Sequence, residues 1–134
     1  MIRSMLAIVA GYISIIFLDS FSHAVTSLYF EHGLYLTGVA NLPSPVWGYG
    51  FALLQFIFGL FAGLLTASIA KSKGGLEIVS LVLLIVAAGC IDYSVLSRQE
   101  PLWYLITSPA LKSFGIYLGF VLKQKQDAHF ATKE

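Results

Sequence analysis

The stretch "ITSPALKSFGIYLG" (residues 106–119) decides how this chain is read. It sits in an apolar run over 102–122, about the ~20 residues a helix needs to cross the hydrocarbon core. Yet Lys112 stands in its middle, with Pro109 three residues before it. An ammonium at the bilayer centre costs about 2.5–3.5 kcal/mol on insertion scales. Either the run is not a span, or something elsewhere in the chain offsets the charge.

The rest of the sequence favours a span. Three more apolar runs cover 5–28, 46–70 and 76–96. The 134 residues are 57% hydrophobic and 11% charged, against about 25% charged in an ordinary soluble domain; mean hydropathy is +0.82. Glycines and β-branched residues in the runs do not argue for strand, because an isolated span must satisfy its own backbone hydrogen bonds. The expected fold is all-α: one integral membrane domain, an antiparallel bundle of four transmembrane helices, with a polar, frayed tail over 123–134. Arg3, "LAIVAGYISIIFL" and "SHA" also carry the pattern of a signal peptide with a small-residue cleavage site after Ala24. An uncleaved first span is the expectation adopted. A net charge of +1 points to no nucleic-acid partner. The one cysteine, Cys90, allows no intramolecular disulfide and no cysteine zinc motif, and is expected as a small packed apolar residue.

Charge sets the expected orientation. Arg3, Lys71, Lys73, Lys123, Lys125 and Lys133 fall on one side of the four runs and only Arg98 on the other, six against one. The positive-inside rule then puts both termini in the cytoplasm, in a bacterial inner membrane. Residues 29–45 and the tight turn 97–101 lie outside, with Trp47, Trp103 and Tyr104 as an aromatic belt at that boundary. Small-xxx-small spacings occur at Ala7 and Gly11, at Gly59, Gly63 and Ala67, and at Gly115 and Gly119. Such stripes let helix backbones approach closely, within the bundle or against another subunit.

Counting inward from the outer boundary at about 1.5 Å per residue places Lys112 roughly 14 Å deep, Gln55 roughly 12 Å and Asp19 roughly 14 Å. Three spans thus bring a polar side chain to one layer. Ser108, Lys112, Gly115 and Gly119 share one helix face, as do Asp19, His23 and Thr26. The expected partner of Lys112 is therefore Asp19, with Gln55 bridging. Asp92 is the second candidate, reached if the lysine snorkels outward. The candidate ligand- or ion-binding residues are Asp19, His23, Gln55, Asp92 and Lys112.

Specific chemistries find little support. Asp19 and His23 at i, i+4 could share a metal or orient an imidazole, but a closed metal site needs three or four ligands and only Asp92 is at hand. His32 and His129 lie outside the spans, so a bis-histidine haem is not expected, and no cofactor is named. No nucleophile elbow, triad order or phosphate-cradling glycine loop is present. Asp19 is similar in placement to the membrane carboxylate of the small multidrug exporters, but the six-to-one charge bias argues against their dual topology. Through "FGLFAGLLTASIAKSKGG" (58–75), "PLWY" (101–104) and "GIYLG" (115–119) the chain resembles, across most of its length, uncharacterised small bacterial four-span inner-membrane proteins. That resemblance implies a fold and transfers no activity. The leading expectation is a non-enzymatic membrane protein, in contact with the lipid bilayer. It would be an accessory subunit packed on a membrane partner or a second copy, or a small binding protein with an outward-facing polar pocket. The alternative is a small solute, ion or proton transporter or channel using an Asp19–Lys112 pair. A weaker one is a membrane enzyme using His23 and Asp92.

Overall fold

The chain is described by a computed structural model covering residues 2–30, 39, 42, 44–70, 75–96 and 100–131. Four helices account for nearly all of these residues: α1 (Ile2–Phe30), α2 (Pro45–Ala70), α3 (Leu76–Leu96) and α4 (Leu102–Ala131). Each is long and apolar enough to cross a membrane, which marks the chain as an integral membrane protein by length and composition. The basic residues Lys71, Lys73, Arg98 and Lys133, and the loop pair Glu31 and His32, lie outside the described residues.

Local sequence sets the helix ends. Ser44 precedes Pro45, and its hydroxyl and carbonyl take the amides of Val46 and Trp47. Proline suits the first helical position because its missing N–H would be unpaired there anyway. Pro101 plays the corresponding part before α4: its carbonyl accepts from Tyr104 and Leu105. At the far end α4 runs to Ala131, where a frayed tail was expected from residue 123 on. The polar segment is rich in Lys, Gln and Ala, all good helix formers. An i, i+4 pair of Lys123 with Asp127 at 2.7 Å adds to it.

Helix α2 is the centre of the packing. Gly48, Phe51, Ala52, Gln55, Phe58, Gly59, Ala62, Gly63 and Thr66 are buried at helical spacing. Its tightest partner is α4, and glycine is the reason. A Cβ on Gly59 would strike the backbone of Lys112, and one on Gly63 the backbone of Ile116; on Gly115 and Gly119 it would strike the backbones of Phe56 and Leu60. The two small-residue stripes therefore interlock within one chain. Gly11 on α1 instead makes room for the side chains of Thr66 and Leu81. Beside it the Thr66 hydroxyl donates to the Ala7 carbonyl at 3.2 Å, and Arg3 Nε donates to the Ile69 carbonyl near the end of α2.

All four helices meet in a core of Ile15, Ala62, Ile78, Leu81, Ile85 and Ile116. A second cluster of Val39, Phe51 and Tyr104 closes the other end. Helix α3 is asymmetric: its buried residues are Glu77, Ile78, Leu81 and Ile85, and none follows. Residues 91–95 are all exposed. Five consecutive residues exceed one turn, so the last turns of α3, beyond Cys90, have no face packed into the bundle. This corrects the expectation for Cys90, which is exposed rather than packed.

Candidate functional site

The spacing arguments converge at one place. Lys112 Nζ on α4 lies 3.2 Å from Asp19 Oδ2 on α1. Gln55 on α2, fully buried, donates from Nε2 to Asp19 Oδ1 at 2.8 Å and to the Tyr104 hydroxyl at 3.1 Å. One carboxylate thus ties three helices, each of its oxygens on a different partner. The amide is oriented by this: its nitrogen must face the carboxylate, which leaves Gln55 Oε1 buried with no donor among the described residues.

His23 sits one turn along α1. Its Nδ1 lies 2.9 Å from the Asp19 carbonyl oxygen and 3.6 Å from Oδ1. The closer bond is to backbone, so with its proton on Nδ1 the ring donates to the helix rather than being oriented by the carboxylate. The imidazole also tilts against Phe51, with ring centroids 5.1 Å apart. Asp92 is not the lysine's partner. It is exposed at the rim and makes no ion pair within 4.0 Å among the described residues.

These groups border a cavity of about 130 Å³ between α1, α3 and α4. Asp19, His23, Asp92 and Lys112 line it, together with Ser108 and the stretch of α4 around Pro109. The proline leaves the Leu105 carbonyl without its usual helical donor, and Leu105 also borders the space. A polar cavity of this size holds ordered water or the head of a small ligand. Among the described residues no three His, Cys, Asp or Glu side chains form a metal-holding group.

Two polar lining residues were not foreseen. The sequence places Tyr104 in an aromatic belt, but it is only 6% exposed and turns inward to Gln55; Trp103, 41% exposed, lies against Tyr49. The signal was available, since Tyr104, Ser108 and Lys112 are spaced by four. Glu100 had no such signal. Its two oxygens accept the Val39 amide at 3.0 and 3.1 Å, a contact across 61 residues of sequence. Glu100 also lines the cavity. Burial raises its pKa above the ordinary glutamate value, with the Val39 hydrogen bond and nearby His23 acting in the opposite direction.

Comparison of the chain with family models, with curated proteins and with solved structures gives no match.

Proposed function

We propose that this chain is a small binding protein of the bacterial inner membrane, an antiparallel four-helix bundle with both termini in the cytoplasm. Its polar cavity opens toward the outer side. The order of contacts supports the arrangement: Arg3 reaches Ile69, Ala7 meets Thr66, and Asp19 meets Gln55. The six-to-one division of basic residues supports the orientation. The observation that carries the functional reading is the convergence of Asp19, His23, Asp92 and Lys112 on one cavity, where a purely structural ion pair would need no space around it. The accessory-subunit reading draws less support, because the glycine stripes offered for a partner are used inside the chain.

The test is accessibility. In a Cys90→Ala background, Ser108→Cys places a thiol on the cavity wall. A membrane-impermeant thiol reagent added outside intact cells is expected to label it. Labelling only from the cytoplasmic side, or only after denaturation, contradicts an outward-facing polar pocket.

A further inference from the structure

We propose that the cavity's ligand is a cationic amphiphile of the bilayer, its head in the polar cavity and its single apolar chain in the groove between α3 and α4. This rests on the binding-pocket reading above and names the class of ligand.

The charge balance selects the head. The cavity wall carries three carboxylates, Asp19, Asp92 and Glu100, and one lysine. That lysine is engaged by Asp19 at 3.2 Å. Asp92 and Glu100 have no cation within 4.0 Å among the described residues. Counted over the described residues and leaving His23 aside, the wall carries two more carboxylates than ammonium groups. An anion would meet two carboxylates that have no ion-pair partner among the described residues; a protonated amine would neutralise one and donate hydrogen bonds.

The second volume selects the tail. An apolar groove of about 440 Å³ lies along α3 and α4, lined by Val82, Val86, Cys90, Ile106 and Ala110. It and the cavity share Gly89, Leu105 and Pro109 as a common wall. The helices touch there closely, a Cβ on Gly89 falling 2.9 Å from the proline ring. Beyond that contact α3 stands off, with residues 91–95 all exposed. A chain leaving the cavity past Asp92 reaches the groove over Leu105, the buried residue that borders both volumes. A soluble cation would fill the cavity and leave the groove unused; a neutral lipid would fill the groove and leave the carboxylates unmet.

The wild-type chain reports the tail seat through Cys90, its one cysteine, and the Ser108→Cys variant in the Cys90→Ala background reports the head seat. Dodecylammonium is the probe, with dodecanol and butylammonium as the tail-only and head-only controls, each titrated into protein reconstituted in neutral lipid nanodiscs. Dodecylammonium is expected to slow maleimide labelling at both thiols at concentrations at least tenfold below either control. Asp92→Asn, at an exposed rim position, is expected to weaken that protection about tenfold without changing the dodecanol response. Equal protection by dodecanol overturns the cationic head, and equal protection by butylammonium overturns the tail seat. Cys90 cross-linking into a dimer that dodecylammonium does not disperse gives the groove to a second copy and overturns the proposal. If Ser108→Cys labels from outside but dodecylammonium protects neither thiol, the ligand class fails and the pocket stands; if Ser108→Cys never labels from outside, the pocket itself fails.

Discussion

At the residue scale, the site is a set of acceptors and donors that do not quite balance. Gln55 supplies both of its N–H groups, to Asp19 and Tyr104. Gln55→Ala removes both and leaves Asp19 Oδ1 short of a partner. The expected loss is about 1–3 kcal/mol, the cost of an unsatisfied buried polar group, read as a lower melting temperature in detergent. Glu100 behaves differently. Its pKa is raised in the folded chain, chiefly by burial, so the folded state binds that proton more tightly than the unfolded state does. Stability from this group is therefore present at low pH. It is lost as pH rises from about 4.3, the ordinary glutamate value, through the raised folded value. Glu100→Gln keeps an acceptor for the Val39 amide and removes the titration. Melting curves across that range should show the wild type losing stability with rising pH relative to the variant; parallel curves contradict the assignment. Asp19, Gln55 and Lys112 were legible from sequence because helical rise is constant, so counting residues gives depth. Glu100 was not, because its contact joins residues 39 and 100 and no local period encodes it.

At the element scale, the α2–α4 interlock depends on hydrogen in place of a methyl group. Gly63→Leu drives a side chain into the Ile116 backbone, which cannot rotate away. The expected outcome is loss of the folded monomer on size-exclusion chromatography. Gly50→Ala, on the same helix with nothing within 4 Å of the new Cβ, should be silent. Equal behaviour of the two variants contradicts the interlock. Span positions were legible because hydrophobic runs near 20 residues have few other readings, and the run over 76–96 coincides with α3. Two element-scale expectations missed for the same reason, a composition rule applied without its surroundings. Residues 123–131 are polar yet helical, since polar does not mean weak helix former. Cys90 is small and apolar yet exposed, since its face of α3 borders an open groove beside α4 rather than the core.

At the scale of the whole molecule, the fold brings polar groups from three helices to one depth and leaves a cavity beside them. On the proposed account Lys112 is tolerated in a span because Asp19 meets it, not because the helix avoids the membrane. The side chains of Lys112 and Asp19 are 13% and 27% exposed, so the pair is screened more than a fully buried one. Each single neutralisation should cost nearer 1–3 kcal/mol than the 3–5 typical of complete burial. The measurement that tests this most directly is the melting temperature of purified protein in detergent for Asp19→Asn, Lys112→Met and the double variant. The account predicts that each single change lowers it and that the double variant recovers most of the loss, because neither charge is left unpaired. Silent single variants, or a double variant as damaged as the sum of the two, would contradict the pair and with it the reason a lysine can stand in the middle of "ITSPALKSFGIYLG".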